Sequence, residues 1–224
     1  LYDIPLYKSY GFIIVYIYKY MFKYSIIIKH IMDDYTDCGL SGLSNLGNTC
    51  FINSCMQILS HTHVLREYLM GPDVEVNNDD NNNTDLNLLS EWIKLQELMW
   101  DKNCVISPDR WVKSIQETAL KKKNYEFTSY GQNDIHEFIL FILDTFHNAL
   151  KHPVNIKING TIKNNTDRLA ISCFKMLDNM YSKEYSFILK VFYGIQVSEI
   201  LEVNTNTNTN TNSENVLSYS PEPF

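Results

Sequence analysis

One cysteine of this chain, Cys50, stands in a setting that suits nucleophilic chemistry. It ends the glycine-punctuated segment 42–50 and directly precedes an apolar pattern typical of an amphipathic helix. The free backbone N–H groups and the positive end of a helix N-terminus favour a thiolate, which is the nucleophilic form of cysteine. Most free cysteines are instead buried as small hydrophobic side chains. On these residues alone, the two interpretations are equally favoured.

Asn45 is the second candidate for chemistry. The segment 42–50 reads GLSNLGNTC, so Asn45 lies five residues before Cys50. Its side-chain amide can donate a hydrogen bond to an oxyanion that develops on a carbonyl under attack. The glycines of the segment allow the backbone to approach a substrate closely. The two side chains therefore fit a thiol nucleophile with an oxyanion donor.

The elements that must position these residues are mainly helical from residue 33 onward. Asn48 and Thr49 are predicted to cap a helix that follows Cys50, and Ser107-Pro108 is typical of a helix start. Residues 185–203 mix apolar and polar side chains in a strand-like way. The apolar spacing predicts helices over 51–69, 86–100, 107–120, 132–150 and 167–181.

Composition excludes several classes of protein. The chain has 224 residues, 45% of them hydrophobic, which is enough to bury a core and excludes a wholly disordered or fibrous protein. The formal charge of −7 argues against a nucleic-acid binder, which needs a basic surface. The five cysteines form no CxxC pair, so they predict neither a zinc ribbon nor a disulfide framework. A reducing, intracellular location, cytoplasmic or nuclear, follows as an expectation.

Three segments differ from the rest of the chain. The leader 1–32 is rich in Tyr, Ile and Lys. Met32, which directly precedes Asp33-Asp34, is the predicted true start of the protein. The residues before Met32 are then either read-through of upstream sequence or part of a larger fragment. Its longest apolar run, 12–18, is too short to span a bilayer, so membrane association through 12–32 is disfavoured. Segments 71–85 and 204–219 are predicted to be Asn-rich inserts without a core of their own.

The segment GLSNLGNTCFINSCMQIL resembles the cysteine box of the ubiquitin-specific proteases, a papain-like family of deubiquitinases. By position, the resemblance implies that Cys50 is the nucleophile and Asn45 the oxyanion-hole donor. A second family motif, Q-x-D-x-x-E-F, is similar to residues 132–138 and implies that Gln132, Asp134 and Glu137 line the cleft for the Arg-containing tail of ubiquitin. Two motifs in the family's order make chance agreement a poor explanation.

The resemblance extends toward the end of the chain. Residues 191–194 followed by 197–200 resemble the family's F-x-G strand, and 220–224 resemble the E-P-F that begins the next core segment. The implied fold is α+β, a papain-like cysteine protease represented mainly by its helical, thumb-like subdomain with the beginning of the β-rich palm and fingers. Residues 33–203 are the predicted N-terminal portion of that catalytic domain.

The resemblance also implies what this chain lacks. None of its six histidines fits the family's C-terminal histidine box, so we expect the chain alone to hydrolyse ubiquitin conjugates poorly. Glu199-Ile200-Leu201-Glu202 stands where a zinc CxxC could begin, so no metal and no cofactor are expected. The implied partners are ubiquitin and ubiquitinated proteins. Two alternatives stay open: a non-catalytic ubiquitin-binding module derived from such an enzyme, and a membrane-tethered deubiquitinase.

Overall fold

The computed structural model describes residues 37–71, 74, 83–155, 157, 161–205 and 212–223. The leader 1–32, most of the predicted insert 71–85 and the centre of the Asn/Thr repeat lie outside the described residues. The described residues fall into two compact units, the first ending at Lys151 and the second beginning at His152.

The first unit is helical with one short strand pair. Strand β1 (Gly42–Leu43) runs parallel to β2 (Val105–Ile106), with Gly42 opposite Val105. A 3-10 turn covers Tyr125–Thr128. The described residues of this unit form five helices: α1 (Cys50–Ser60), α2 (His63–Leu69), α3 (Thr84–Asp101), α4 (Asp109–Lys122) and α5 (Ile135–Leu150).

Aromatic side chains from these helices form the core of the first unit. The rings of Trp92 and Trp111 lie 5.6 Å apart between α3 and α4, and Trp92 also stacks on Phe146 of α5 at 6.4 Å. All three are fully or almost fully buried. Burial of each large apolar side chain contributes about 1.5–3 kcal/mol, so these contacts hold the three helices together.

The predicted helix 51–69 is two helices. α1 ends at Ser60, and α2 begins at His63 after the connecting residues His61 and Thr62. The Thr62 hydroxyl donates to the carbonyl of Ile58 at 3.0 Å, and its backbone is no longer helical. Local hydroxyl-to-backbone bonds of this kind compete with the helical ladder, and they explain why the apolar pattern continues while the helix does not.

Three other helices begin at residues different from those predicted, and each start is set by its N-cap residue. α3 begins at Thr84, inside the predicted insert, because the Asn83 side chain accepts from the N–H groups of Asp85 and Leu86. α5 begins at Ile135 and not at Gln132, because Asp134 is the N-cap. α4 begins at Asp109 with Pro108 as N-cap, one residue later than the Ser107-Pro108 start implies.

The second unit contains two helices and a β-hairpin. α6 (Asn165–Tyr181) begins with a capping box in which Asn164 and Asp167 bind each other's backbone N–H, in agreement with the helix predicted over 167–181. α7 covers Phe187–Phe192. Strand β3 (Ile195–Thr205) pairs antiparallel with β4 (Asn212–Pro223).

The strand-like interpretation of 185–203 is therefore only half right. The Ser186 hydroxyl accepts from the N–H of Leu189, which starts α7 where the sequence predicted a strand. The F-x-G motif falls at the end of this helix and not in a strand. The described parts of the predicted insert 204–219 belong to β3 and β4, because an alternating polar sequence can still supply a backbone ladder.

No helix among the described residues is both long and apolar enough to cross a bilayer. The segment 12–32, on which a membrane tether would depend, lies outside those residues.

Candidate active site

Cys50 is the first residue of α1, and its side chain is exposed. Thr49 is the N-cap residue, and the first helical bond runs from the N–H of Asn53 to the Thr49 carbonyl at 2.9 Å. The thiol therefore lies at the helix end where backbone N–H groups point outward. Of the two interpretations of Cys50, the exposed position fits a reactive thiol and not a packing residue.

Two amide side chains of α1 hold the incoming chain beside the helix. Asn53 donates to the carbonyls of Leu43 and Ser44, both at 3.1 Å, and Gln57 donates to the carbonyl of Ser41 at 2.8 Å. Asn53 and Gln57 are one helical turn apart, so both face the same side of α1. The strand that leads to Cys50 is thus attached to the same helix that carries it.

The turn before the helix requires two residues in left-handed backbone conformations. Gly47 has φ +101° and Asn48 has φ +51°. A Cβ added to Gly47 would meet nothing within 4 Å, so glycine is needed there for its backbone conformation and not for space. Asparagine tolerates the left-handed region better than most residues, which suits it to position 48.

The Thr49 hydroxyl organises this turn and does not cap the helix. Thr49 makes no side-chain cap bond to α1, contrary to the sequence prediction for the pair Asn48 and Thr49. Its hydroxyl accepts from the N–H of Leu46 at 3.0 Å and donates to Asn45 Oδ1 at 3.1 Å. Thr49 is almost completely buried, so both of its bonds are shielded from water.

Asn45 is held in one orientation by this network. Its Oδ1 accepts from the N–H of Gly47 at 3.1 Å, the N–H of Thr49 at 3.0 Å and the Thr49 hydroxyl. Because backbone N–H groups can only donate, the atom that they share must be the amide oxygen. The amide NH₂ of this exposed side chain is then directed away from the turn, as an oxyanion donor requires.

The second motif lies next to the cysteine loop. The side-chain amide of Asn48 donates to the backbone carbonyl of Tyr130 at 3.0 Å, across 82 residues of sequence. Beneath this bond, the Phe51 ring meets the Phe138 ring edge-on with centroids 5.1 Å apart. Phe127 packs against both rings. The residues that follow Cys50 and the residues of the second motif therefore share one hydrophobic cluster.

The three predicted substrate-binding residues lie on the exposed surface of this second motif. Gln132 is in the loop before α5, Asp134 is the N-cap, and Glu137 is in the first turn. One carboxylate oxygen of Asp134 accepts from the N–H of His136 at 2.7 Å and from that of Glu137 at 3.2 Å. Asp134 is thus outside the helix on which the sequence placed it, and its role includes capping.

The other cysteines differ from Cys50 in position or exposure. Cys55 is completely buried in α1, and burial raises the pKa of its thiol to about 12. It is therefore an unreactive packing residue at neutral pH. Cys38 and Cys104 are exposed, but each lies outside the two motifs. Burial also raises the pKa of the Cys173 thiol in the second unit.

Two histidines contact a tryptophan and not the thiol. The rings of His61 and His63 lie 5.4 Å and 5.7 Å from the ring of Trp100, whose Nε1 donates to the Ser60 hydroxyl at 2.8 Å. The Arg66 guanidinium lies over the same ring at 4.3 Å. This cluster is at the C-terminal end of α1, one full helix length from Cys50, in line with the structural role predicted for these histidines.

A segment of backbone before the cysteine loop packs on the same tryptophan. Gly39 has φ +72°, and a Cβ there would lie 2.9 Å from three ring carbons of Trp100. Asn103 Oδ1 accepts from the N–H of Leu40 at 2.9 Å, and the Ser41 hydroxyl donates to the carbonyl of Lys102 at 3.0 Å. The approach to β1 is thus fixed to the C-terminal end of α3.

Four residues shape the site through hydrogen bonds that sequence reasoning did not assign to them: Asn48, Thr49, Asn53 and Gln57. The role of Asn53 and Gln57 could have been inferred from the sequence, because side chains four residues apart lie on the same face of a helix and can bind one neighbouring segment. No local sequence pattern predicts the hydrogen bond from Asn48 to Tyr130. Within the described residues, no group of three His, Cys, Asp or Glu side chains is placed to hold a metal ion.

Comparison with known proteins agrees with both motifs. The family model described as ubiquitin carboxyl-terminal hydrolase matches residues 41–217. This range begins one residue before β1 and ends within β4, so it contains Cys50 and the second motif.

Individual relatives carry the same family name. The chain is 39% identical over 114 residues to ubiquitin carboxyl-terminal hydrolase 2 of Homo sapiens, covering 50% of this chain and 18% of the human protein. It is 35% identical over 133 residues to ubiquitin carboxyl-terminal hydrolase Usp2 of Drosophila melanogaster, covering 59% of this chain and 13% of the Drosophila protein. It is 28% identical over 169 residues to ubiquitin carboxyl-terminal hydrolase 15 of Xenopus tropicalis, covering 73% of this chain and 16% of the Xenopus protein.

The chain spans less than a fifth of the length of each of these three relatives. The family match nevertheless covers most of the chain, and it confirms the family and the α+β class predicted from the two motifs. The chain belongs to the ubiquitin carboxyl-terminal hydrolase family.

Proposed function

We propose that Cys50 is the nucleophile of a cysteine-type deubiquitinase. The substrate is the peptide or isopeptide bond at the C-terminal glycine of ubiquitin in ubiquitin–protein conjugates. One observation carries the proposal: an exposed thiol at a helix N-terminus lies five residues after an asparagine whose amide oxygen is tied down by Gly47 and Thr49. Because the amide oxygen of Asn45 is occupied, its amide N–H groups are the atoms left to donate to an oxyanion.

The reaction follows from these groups. The Cys50 thiolate attacks the carbonyl carbon of the terminal glycine, and the negative charge on the carbonyl oxygen is stabilised by Asn45 and the first N–H groups of α1. The thiol proton goes to a general base, a histidine in the mechanism that the resemblance implies, which then protonates the leaving amine. Water hydrolyses the resulting thioester and releases ubiquitin.

The second motif supplies the substrate contacts. Asp134 and Glu137 carry exposed carboxylates, and carboxylates bind arginine through charge-assisted hydrogen bonds. Their position beside the loop of Cys50, through the bond from Asn48 to Tyr130, supports a cleft in which an Arg-containing tail leads to the thiol. An intracellular location, cytoplasmic or nuclear, and ubiquitinated proteins as partners belong to the same proposal.

A ubiquitin that carries a C-terminal propargylamide tests the proposal, because it forms a covalent adduct with a nucleophilic thiol without requiring turnover. We expect the 224-residue chain to form this adduct, Cys50→Ala to abolish it, and Cys104→Ala to leave it unchanged. Cys104 is the matched control because its thiol is also exposed. Formation of the adduct by Cys50→Ala, or no adduct with the unaltered chain, would contradict the proposal.

The non-catalytic alternative predicts a different pair of results. A ubiquitin-binding module would bind ubiquitin in a calorimetric titration but would form no adduct at Cys50. An enzyme would do both, and Cys50→Ala would still bind. Peptide mapping of the adduct by mass spectrometry identifies the modified cysteine.

A further inference from the structure

Asn48 is neither the proposed nucleophile nor the proposed oxyanion donor, yet it combines two structural features. Its backbone is left-handed, with φ +51°, and its side-chain amide donates to the Tyr130 carbonyl at 3.0 Å. Asn48 is exposed, so its side chain could bind water instead. It is held across the surface toward a segment 82 residues away.

The bond joins the cysteine loop directly to the residues that precede the second motif. Asn48 is two residues before the nucleophile, and Tyr130 is two residues before Gln132 and four before Asp134. The contact between Phe51 and Phe138 lies on the helical side of the same junction. The cysteine loop and the substrate segment are thus attached once through the core and once at the surface.

The core contact alone does not fix the loops. It holds α1 against α5, but Asn48 and Tyr130 both lie before the helices begin. Loops outside helices have more conformational freedom than the helices that they precede. A hydrogen bond between them removes that freedom where a substrate tail must pass from the Asp134 carboxylate to the thiol.

We infer that Asn48 is a positioning residue that sets the distance between the Cys50 thiol and the substrate segment 132–134. The inference rests on the proposed function, since it gives the bond a catalytic purpose. Asparagine suits the position because it combines tolerance of a left-handed backbone with a side-chain donor. Glycine also tolerates a left-handed backbone but has no side-chain donor. Aspartate has nearly the same shape as asparagine but cannot donate a hydrogen bond when it is ionised.

Two substitutions separate the hydrogen bond from the backbone conformation. Asn48→Gly and Asn48→Asp both remove the donor while they permit φ near +51°. Tyr130→Phe is the matched control, because it alters the accepting residue and leaves its backbone carbonyl in place. Both positions are exposed to solvent, so the core is unchanged in each of the three variants.

The first measurement needs no ubiquitin. We expect ¹⁵N relaxation order parameters of residues 131–133 to fall to about 0.6 or below, a value typical of flexible backbone, in Asn48→Gly and Asn48→Asp. Tyr130→Phe should match the unaltered chain. Unchanged order parameters in both Asn48 variants would overturn the inference.

The second measurement tests the catalytic consequence with the ubiquitin propargylamide. We expect the first-order rate of adduct formation within the complex to fall about tenfold in both Asn48 variants, because small misplacements of reacting groups are costly. The concentration for half-maximal rate should change less than about twofold, since the rest of the ubiquitin surface is unaffected. A merely structural role would lower the melting temperature and leave the first-order rate unchanged, which would overturn the inference.

Failure of the proposed function gives a different pattern. If the unaltered chain forms no adduct at Cys50, the proposed function is wrong and the positioning role is lost with it. If the unaltered chain reacts and both Asn48 variants react at the same rate, only the positioning role is wrong.

Discussion

At the level of single residues, three asparagines in or near the cysteine loop do three different things. Asn45 accepts hydrogen bonds with its oxygen, Asn48 donates to a distant carbonyl, and Asn53 donates to the strand that precedes it. The chain has 24 asparagines, many of them in polar repeats. Their number therefore says little about function, and only their hydrogen bonds distinguish these three from the rest.

Thr49 provides a direct test of how Asn45 is oriented. Thr49→Val keeps the side-chain volume but removes the hydroxyl that binds both Asn45 Oδ1 and the N–H of Leu46. We expect a loss of about 1–3 kcal/mol in the free energy of unfolding, because a buried donor loses its partner. The rate at which Cys50 forms a hemithioacetal with a ubiquitin C-terminal aldehyde should fall about tenfold, because this adduct, unlike the one with the propargylamide, develops negative charge on a carbonyl oxygen that Asn45 would stabilise.

Thr49→Ser is the control for that substitution because it restores the hydroxyl. Its urea midpoint and adduct rate should lie close to those of the unaltered chain. If Thr49→Val reacts as fast as Thr49→Ser, the hydroxyl does not orient Asn45.

The sequence alone singled out Cys50 and Asn45 as candidate site residues because both belong to one local segment. It also identified Asp134, but as a helical residue and not as the cap that the structure shows. The bond between Asn48 and Tyr130 could not be predicted in this way. It depends on how α1 packs against α5, and no local pattern of residue types encodes a contact across 82 residues.

At the level of elements, the turn between β1 and α1 determines where the thiol points. Gly47 and Asn48 place two left-handed residues in succession, which reverses the chain direction immediately before the helix. Asn53 and Gln57 then bind the strand on the other side of the turn. The turn is therefore fixed at both ends, and its own conformation is set by Gly47.

Gly47→Ala should destabilise the protein through backbone conformation alone. The added Cβ has nothing within 4 Å, so the cost is that of holding alanine at φ +101°. We expect a loss of about 1–2 kcal/mol in the free energy of unfolding, measured by urea denaturation.

Gly42→Ala is the matched control in the same loop. Gly42 lies in β1 with an ordinary φ, and its added Cβ would meet Val105 Cγ2 at 3.9 Å, a normal contact. Its unfolding free energy should change by less than about 0.5 kcal/mol. Equal losses in the two variants would mean that the backbone conformation at Gly47 is not the cause.

Helix existence could be predicted from the apolar pattern, whereas helix boundaries could not. Three misplaced boundaries share one physical cause, a polar side chain that binds the backbone near a helix end. Asp134 delays the start of α5, Thr62 lies where α1 ends, and Ser186 starts α7 within a predicted strand. Apolar periodicity reports which face is buried, and it contains no information about these bonds.

At the level of the whole molecule, the charge is unevenly distributed along the chain. The chain as a whole has a formal charge of −7, and residues 33–224 carry 15 basic and 25 acidic side chains. An acidic surface raises the local concentration of a basic partner, and salt weakens this attraction. Binding of an Arg-containing tail should therefore depend on ionic strength.

Asp134→Asn tests how much the Asp134 carboxylate contributes to that attraction, because it removes the charge and keeps the helix cap. Asparagine caps helices as well as aspartate does, so the melting temperature should not change. We expect the Kd for ubiquitin to rise about threefold to tenfold at about 50 mM salt, and the difference to shrink at about 500 mM, as screening predicts. Isothermal titration calorimetry on the Cys50→Ala background measures both values.

Asp134→Ala serves as the comparison because it removes the charge and the cap together. It should weaken binding to a similar extent and also lower the melting temperature. If Asp134→Asn and the protein with Asp134 have the same Kd for ubiquitin at low salt, Asp134 is not part of the binding surface.

The packing of Gly39 on Trp100 has a spectroscopic consequence. Trp92 and Trp111 are fully enclosed by the core, whereas Trp100 is 8% exposed and touches Arg66 as well as the backbone that leads to β1. Its indole emission is therefore sensitive to whether that backbone is docked. The chain contains a natural fluorophore that reports release of the segment before the cysteine loop, independently of the melting of the helical core.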